Sequence, residues 1–426
     1  MSPLAFTCLD DYDPNALSVD HARRYLFDTV QPVSGHERCF VRQALGRVLA
    51  EDVISPVDVP AHDNSAMDGW AVRFSDLSAG GETRLKIIGT AFAGRPFDGK
   101  LGAGEAVRIM TGAVLPAGVD CVVVQEVASV SGDTVSVPPG QQNEQNIRRA
   151  GEDLRAGAPA IPAGKLLRPA ELGVIASLGI AEVSVRRRVR VALFSTGDEL
   201  CSIGTPLFTG AVYDSNRYTL WGMLTRLGCE VIDMGVVKDE PAALEAAFRE
   251  AASCADAIIT SGGVSVGEAD FIKQLMTQLG EVAFWKIAMK PGRPMAFGRI
   301  ANGEAGGKDS AWLFGLPGNP VAVMVTFYQF VQPALLKLMG VDPVPALPTL
   351  TARCLAPMKK GKGRTEFQRG ILSFDQGEWC VQPTGHQGSG MLSSMAKADC
   401  FIVLDAERTK VGAGETVQVQ VFGGLV

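Results

Sequence analysis

The stretch from Val189 to Gly340 constrains the fold most strongly, because short apolar runs alternate there with longer helical patterns. The apolar runs predict strands over Val189–Phe194, Cys229–Met234, Ala257–Thr260, Val282–Ile287, Met295–Ile300 and Trp312–Phe314. The helical patterns cover Asn216–Leu227, Pro241–Ala252, Phe271–Leu279 and Val321–Met339. Such alternation is typical of a parallel sheet that helices cover on both faces. Ligands of these sheets bind at the carboxyl ends of the strands, so the loops that follow the strands are the first candidates for a site.

Five of these loops carry glycines, acids, hydroxyls or cations. They are Ser195–Glu199, Lys238–Glu240, Ser261–Asp270, Lys290–Pro294 and Gly315–Pro320. One glycine-rich turn is most often only a turn, and one acid at a strand end is most often solvated or caps a helix. Five such loops at one predicted edge favour a binding site, centred on Ser261–Asp270.

The residue types in these loops suit a phosphate-bearing anion. Gly262 and Gly263 allow a close approach of backbone N–H groups, and the predicted helix from Phe271 presents its positive N-terminal end. Lysine and arginine neutralise oxyanions. The predicted contacts are Ser195, Gly262, Gly263, Lys286, Lys290, Arg293, Pro317, Gly318 and Asn319. The chain has no Walker A sequence, and no G-x-G-x-x-G follows a strand.

Three acids, Glu199, Asp239 and Asp270, accompany the predicted phosphate contacts. Acids beside phosphates usually indicate a divalent cation, and Mg²⁺ prefers one or two carboxylates together with phosphate oxygens. We therefore expect a magnesium site, with Asp270 and Glu199 as the candidate ligands.

The rest of the chain divides into three further parts. An elongated subdomain is predicted from two segments, 15–54 and 154–186, with a helical pattern that runs from an N-cap at Ser18 to Leu49. Residues 55–153 are rich in glycine, proline and short β-branched runs, which indicates an inserted all-β domain. The α/β domain is predicted over 187–342 and a second small β domain over 343–426. The basic run Arg186–Arg188 is interpreted as a solvated linker in preference to a nucleic-acid patch.

Composition narrows the functional class. The formal net charge is -6, which argues against a nucleic-acid-binding surface, and no uninterrupted apolar stretch is as long as a membrane helix. The N-terminus has no signal-peptide pattern. The nine cysteines form no C-x-x-C pair, which favours reduced core cysteines in a cytoplasmic protein.

A further polar block, Asp63–Trp70, lies in the inserted domain. Its two carboxylates, Asp63 and Asp68, stand five residues apart. From spacing alone, side chains that brace a turn are the first interpretation of this pair.

Several long motifs resemble the molybdopterin molybdenumtransferase family, whose relatives include the E domain of gephyrin. The motifs are Asp63–Trp70, Arg108–Ala113, Gly151–Asp153, Ser195–Leu200, Ser261–Asp270, Lys290–Pro294, Gly315–Pro320, Gly363–Gly370 and Gly385–Ser389. They cover nearly the whole chain and occur in the family's order.

The resemblance implies a multidomain α/β plus β fold: an elongated N-terminal subdomain, an inserted β domain, a molybdopterin-binding α/β domain with a parallel sheet, and a C-terminal β domain. It also implies a homodimer, with the active cleft between the α/β domain of one subunit and the inserted domain of the other. The implied reaction inserts molybdate into adenylylated molybdopterin with magnesium and releases AMP. Two further kinds of partner are then expected: the adenylyltransferase that makes the substrate, and the molybdoenzymes that receive the product. No nucleic-acid or membrane partner is expected.

The resemblance also assigns site residues. The positions that match on the inserted side are Asp63, Thr111 and Asp153. Across the cleft they are Glu199, Asp239, Ser265, Asp270, Lys286 and Lys290, and the positions linked to molybdate capture are Arg369 and Ser389. The expected catalytic residues are Asp63, Asp270, Glu199, Lys286 and Lys290, with Asp63 hypothesised to orient or activate water as a base.

This chain departs from the family pattern at two places. Ala322 stands where a hydroxyl residue is frequent, and Arg293 stands where lysine is common. Two other functions stay open from the sequence. One is the adenylyltransferase itself, which shares the α/β domain but lacks the Asp63 block and both β domains. The other is a non-enzymatic scaffold, against which the chain shows no long linker or second catalytic module.

Overall fold

The computed structural model describes residues 16–263, 270–301 and 310–423. The first helix, Val19–Thr29, begins after Ser18, whose hydroxyl accepts a hydrogen bond from the His21 N–H (3.2 Å). The predicted extension of this helix to Leu49 is wrong. Pro32 has no N–H to donate and disfavours helical geometry in the residue before it, so the chain leaves the helix here. It continues as the strand His36–Phe40 and the 3₁₀ turn Val41–Ala44.

Two distant chain segments pair in the N-terminal region. The strand His36–Phe40 is antiparallel to Glu182–Arg186, and Val53–Ile54 pairs with Pro159–Ile161. The helix Pro169–Ser177 packs against the Val41–Ala44 turn. A small buried cluster that includes Leu49, Ile161 and Val185 lies between the two segments.

The inserted region forms a six-stranded sheet. Its strands, in spatial order, are Cys121–Val124, Gly69–Val72, Glu105–Ile109, Thr83–Ala91, Thr134–Val137 and Ser129–Ser131. Trp70 and Val72 belong to one buried cluster and Ala71 to another, because alternate side chains of a strand point to opposite faces. The two-stranded pair Asn64–Ser65 with Ile147–Arg148 and the 3₁₀ turns Phe74–Asp76 and Gln125–Val127 complete the region.

The central α/β sheet has six strands. They are β1 (Arg190–Thr196), β2 (Glu230–Val237), β3 (Ala257–Ser261), β4 (Gly280–Lys286), β5 (Pro294–Ala301) and β6 (Ser310–Leu316). The spatial order is β2-β1-β3-β6-β5-β4. The helices are α1 (Ser215–Leu227), α2 (Pro241–Cys254), α3 (Asp270–Leu279) and α4 (Pro320–Leu338), which contains a π-helical turn at Phe327–Val331.

The sheet is mixed, whereas the alternation of strands and helices predicts a parallel one. The strands β1, β2, β3 and β6 are parallel, but β5 is antiparallel to both β6 and β4. The short Lys286–Pro294 connection leaves no room for a crossover helix, and parallel neighbours need one. The sheet is buried on both faces, since Val191 and Leu193 enter one core cluster and Ala192 and Phe194 another.

The C-terminal region is a closed ring of five strands. In spatial order they are Thr365–Asp375, Glu378–Pro383, Thr349–Cys354, Thr416–Val421 and Cys400–Leu404, and the last pairs again with the first. The pair Met358–Lys359 with Lys410–Val411 and the helix Leu392–Ala396 lie beside the ring. The strand Met289–Lys290 of the α/β domain pairs in parallel with Thr365–Glu366, the first two residues of the strand Thr365–Asp375. This pairing fixes the C-terminal region against the loop that carries the predicted cations.

The helix α4 is apolar and long enough to cross a membrane, with a mean hydropathy of 1.4, but 72% of that span is buried inside the protein. Its side chains, among them Val321, Phe327 and Leu335, belong to the largest core cluster. We therefore interpret α4 as a core helix.

Candidate active site

The predicted loops do meet at one edge of the α/β sheet. The strands β1, β2, β3, β4 and β6 all end there, because β4 runs in the same direction as the four parallel strands. The helix α3 begins at the same edge, and β5 starts there directly after Arg293. Of the central loop Ser261–Asp270, residues 264–269, which include Ser265, lie outside the described residues, as does the side chain of Asp270.

Gly262 permits a close approach between two of these loops. Its φ is +97°, and a Cβ at this position would lie 2.3 Å from the carbonyl oxygen of Thr196. Its N–H donates to the Leu316 carbonyl at the end of β6 (3.2 Å). Only glycine tolerates both the conformation and the contact, so this residue fixes the loop after β3 between the ends of β1 and β6.

Ser195 lies beneath the edge and not on its surface. Its side chain is fully buried, and its hydroxyl donates to Asp214 Oδ1 (3.0 Å). Asp214 is the N-cap of α1 and accepts from the Arg217 Nε–H (3.1 Å), while Arg217 also forms two hydrogen bonds with Asp233 (2.7 and 2.9 Å). In this conformation Ser195 supports the edge through Asp214, which differs from the substrate contact expected from the sequence.

Asn216 joins two of the glycine loops. Its Nδ2 group donates to Ser261 Oγ (2.7 Å) and to the Gly318 carbonyl (2.6 Å), and the residue is 8% exposed. Asp214 and Asn216 were not identified from the sequence, because only the loops that follow strands were considered there. Asp214 lies just before a predicted helix and Asn216 begins it. The available signal was the polar run Asp214–Asn216 directly before α1.

The acids at this edge occupy different environments. The Thr196 hydroxyl donates to Asp239, which is half-buried, whereas Glu199 is exposed. Among the described residues no group of three His, Cys, Asp or Glu side chains is placed to hold a metal ion. A magnesium ion nevertheless fits this donor chemistry, since Mg²⁺ commonly takes only one or two carboxylates and completes its shell with water and phosphate oxygens.

The predicted cations lie between the end of β4 and the start of β5, and one of them contacts the C-terminal region. Lys286 is 8% exposed at the end of β4, and Arg293 is half-buried. Lys290 is half-exposed, and its Nζ lies 3.5 Å from Oε1 of the buried Glu366. The backbone pairing of Lys290 with Glu366 holds this ion pair in register. Cations from the α/β domain are therefore positioned partly by the C-terminal region.

Arg369 holds a loop rather than facing solvent. It is 1% exposed, and its guanidinium donates to Ser394 Oγ (3.0 Å) and to the carbonyls of His386, Gln387 and Gly388 (3.4, 3.3 and 3.0 Å). Burial lowers the pKa of this guanidinium. In this conformation Arg369 holds the loop that leads to Ser389. The sequence predicts that Arg369 contacts an oxyanion, but the buried guanidinium has almost no exposed surface for that contact.

Ser389 does lie at the edge. Its carbonyl accepts from the Val321 N–H in the first turn of α4 (3.0 Å). Asn319 is the N-cap of α4; Gly318 and Asn319 are exposed, and Pro317 is buried. Ala322, where the family pattern often has a hydroxyl residue, is 3% exposed. The C-terminal loop thus covers part of the N-terminal end of α4.

Asp63 is a fixed carboxylate in the inserted domain. Its Oδ1 accepts from the Ala150 N–H (2.8 Å) and its Oδ2 from Arg149 (2.6 Å). The Ala150 hydrogen bond and then the Arg149 hydrogen bond hold the pKa of Asp63 below its usual range. A carboxylate with a lowered pKa is a weaker proton acceptor, which argues against the hypothesised role of Asp63 as a base.

Asp68 and Thr111 form a second fixed pair. The backbone N–H and the hydroxyl of Thr111 both donate to Asp68 Oδ1, each at 2.7 Å, and they lower the pKa of Asp68. Thr111 and Asp153 are exposed. The hydrogen bonds therefore agree with the interpretation that Asp63 and Asp68 stabilise turns. Thr111 is exposed on the surface that these turns form.

Three family models match the chain in order. They are described as the MoeA N-terminal region (domain I and II) over residues 17–179, the probable molybdopterin binding domain over residues 192–337, and the MoeA C-terminal region (domain IV) over residues 351–422. The molybdopterin molybdenumtransferase of Haemophilus influenzae is 46% identical over 412 residues, which is 96% of this chain and 100% of that protein.

The chain belongs to the molybdopterin molybdenumtransferase family. The relative of the same description from Nostoc sp. is 36% identical over 385 residues, or 88% of this chain and 86% of that protein. A crystal structure of the MoeA protein from Pyrococcus horikoshii OT3 has a TM-score of 0.80 at 26% identity and covers 96% of this chain and 100% of its own. The family resemblance and the multidomain α/β plus β fold predicted from the sequence are confirmed.

Proposed function

We propose that this chain is a transferase of molybdenum cofactor biosynthesis that inserts molybdate into adenylylated molybdopterin and releases AMP. The observation that carries the proposal is the sheet edge, where two glycine loops, a helix N-terminus and three cationic side chains converge in a member of this family. A pterin phosphate joined to AMP is a pyrophosphate, which such an edge suits.

The residues of the edge divide the work by their chemistry. Gly262 holds its loop against the ends of β1 and β6, and Gly263 and Gly318 present backbone N–H groups to phosphate oxygens. Lys286, Lys290 and Arg293 offset the charge of the phosphates and of molybdate. Ser389, next to the start of α4, is the proposed molybdate contact on the C-terminal side. For AMP to be released, a water oxygen forms a bond to the AMP phosphorus as the bond between that phosphorus and the bridging oxygen breaks. The pterin phosphate leaves with the bridging oxygen, the water gives up a proton to solvent, and nearby cations stabilise the negative charge that develops.

Magnesium is part of the proposal, with Glu199 and Asp270 as ligands. A bound magnesium ion would polarise a phosphoryl oxygen and offset developing charge. The exposed Glu199 carboxylate at the end of β1 is consistent with this role. We also propose a cytoplasmic location, where the cysteines stay reduced.

We further propose that the working unit is a homodimer in which Asp63, Thr111 and Asp153 complete the edge of the other subunit. The side chains of Asp63 and Asp68 form their hydrogen bonds with Arg149, Ala150 and Thr111, inside the inserted domain. These bonds pre-form a polar surface that presents Thr111, as a second wall of a cleft requires.

The test is AMP release from adenylylated molybdopterin, measured with and without molybdate and magnesium. Release that depends on both supports the proposal. Transfer of adenylate from ATP to molybdopterin, with no molybdate-dependent AMP release, would favour an adenylyltransferase. Mixing a Lys290→Ala variant with a Thr111→Val variant tests the shared cleft: in a homodimer with cross-subunit sites, the mixture recovers activity that neither variant has alone.

A further inference from the structure

Asn216 connects two loops that the proposed substrate requires, although it lies on neither of them. It is the second residue of α1, and its amide nitrogen donates to Ser261 Oγ (2.7 Å) and to the Gly318 carbonyl (2.6 Å). Ser261 ends β3 and Gly318 follows β6. The two hydrogen bonds therefore fix the spacing between the loop after β3 and the loop before α4.

The orientation of the Asn216 amide follows from its partners. The Gly318 carbonyl can only accept, so the nitrogen and not the oxygen must face it. This leaves Asn216 Oδ1 on the other side, where it is buried and has no hydrogen-bond partner among the described residues. A buried amide oxygen is normally hydrogen-bonded, so the contribution of Asn216 in this structure comes from the two bonds of its nitrogen.

The first turn of α1, which carries Asn216, is itself fixed by hydrogen bonds. Asp214, the N-cap of α1, accepts from the Ser195 hydroxyl (3.0 Å), from the Arg217 N–H (3.2 Å) and from Arg217 Nε (3.1 Å). Arg217 is bound in turn to Asp233 on β2. The first turn of α1 is thereby tied to β1 and β2, and Asn216 extends this rigid support to the loops after β3 and β6.

We infer that Asn216 is a positioning residue that sets the distance between the two loops that bind the pyrophosphate of the adenylylated substrate. The inference rests on the proposed function. Because a displacement of about 1 Å in a positioning contact can cost about 100-fold in rate, a fixed spacing has a direct kinetic value. Molybdate is proposed to bind by Ser389 and the cations, whereas the hydrogen bonds of Asn216 go to Ser261 and Gly318, so the spacing should affect molybdate binding less than binding of the adenylylated substrate.

The experiment measures AMP release as a function of both substrates in the wild-type chain and in Asn216→Ala and Asn216→Asp. Aspartate has nearly the same size but cannot donate to the Gly318 carbonyl and repels it. We expect both variants to raise the KM for the adenylylated substrate at least about 10-fold, with Asn216→Asp no better than Asn216→Ala, and to raise the KM for molybdate by clearly less. Ser261→Ala, which keeps the Gly318 bond, should have a smaller effect that does not add to that of Asn216→Ala.

The matched control is Thr219→Ala, which also removes a side-chain hydrogen bond of α1, in this case to the Ser215 carbonyl (3.0 Å). It should retain wild-type values for both KM constants. Unchanged KM values in the folded Asn216 variants, or equal losses of activity in Asn216→Ala and Thr219→Ala, would overturn the inference. If the wild-type chain itself releases no AMP, the proposed function fails instead. In that case binding of AMP alone, measured by calorimetry, still tests Asn216, and equal affinity in the wild type and in Asn216→Ala overturns the inference.

Discussion

The carboxyl edge of the α/β sheet and the Asp63 block hold their polar groups in contrasting environments. At the edge, Ser195 and Asn216 are buried and form hydrogen bonds that support the loops. In the block, the side chains of Asp63 and Arg149 are 38% and 45% exposed. The edge thus depends on buried hydrogen bonds that are costly to break, whereas the block depends on exposed hydrogen bonds that solvent weakens. Substitutions that displace the edge loops should therefore have larger effects than substitutions in the block, whereas the loss of a single buried donor such as the Ser195 hydroxyl, whose acceptor keeps other donors, should have a small effect.

The largest effect is expected from Gly262→Ala, because the new Cβ would clash with the Thr196 carbonyl and force the loop after β3 to move. We expect at least about 100-fold loss of AMP release. Gly204→Ala is the control, since Gly204 also has a positive φ (+84°) but has no heavy atom within 4 Å of its added Cβ. It should cost only about 1–2 kcal/mol in the free energy of unfolding. Equal activity losses in the two variants would remove the special role of the edge.

The next largest effect is expected from Arg369→Met, which leaves Ser394 Oγ and the carbonyls of His386, Gln387 and Gly388 without the buried guanidinium donor. The free energy of unfolding, measured in urea, should fall by about 3 kcal/mol. The control Arg408→Met removes an exposed ion pair of the same domain and should cost less than about 1 kcal/mol. If Arg369→Met instead raises the KM for molybdate without a loss of stability, Arg369 contacts the oxyanion directly.

A smaller effect is expected from Asp63→Asn, since the exposed carboxylate loses a charge-assisted contact with Arg149. We expect a loss of about 1 kcal/mol in the free energy of unfolding at pH 7. The folded pKa of Asp63 is lowered from 3.8. Its stabilising contribution is therefore present above about pH 4 and is lost as the pH falls through the folded pKa. In stronger acid the wild-type chain and the Asp63→Asn variant should become equally stable.

The same variant tests the base hypothesis. If Asp63 accepted a proton during turnover, the activity of the wild-type chain would fall in acid as the Asp63 carboxylate became protonated, and Asp63→Asn would abolish AMP release while adenylate still bound. The fixed geometry predicts instead a partial loss, with an unchanged pH profile between pH 5 and 8. The exposed Asp98→Asn variant of the same domain should behave as the wild type.

The smallest effect is expected from Ser195→Ala, which removes a buried hydroxyl but leaves Asp214 with its bonds to Arg217. The free energy of unfolding should fall by about 0.5 kcal/mol, and the KM for the adenylylated substrate should not change. A raised KM at full stability would show that Ser195 contacts the substrate and would weaken the contrast between buried supports and exposed surfaces.

The sequence predicted much of this edge because strand ends are visible in a chain. Glycines, acids and cations after each apolar run identified the loops at Gly262, Lys290 and Gly318, and the family motifs identified the fold. The sequence did not separate residues that face the ligand from those that support the site. Ser195 and Arg369 carry the expected chemical groups, but burial directs those groups to Asp214 and to the 386–388 loop. Asn216 was missed because its partners are 45 and 102 residues away.

The sequence by itself determined the strands and helices of the α/β domain, which of its loops carry polar groups, and which family the chain resembles. These depend on local periodicity and on motifs that are continuous in the chain. Only the tertiary structure decided that β5 runs antiparallel, that Glu366 holds Lys290, and that the hydroxyl of Ser195 is already bonded. Each of these is set by contacts between residues far apart in the sequence, where the burial of a polar group and the partner that satisfies it are fixed together.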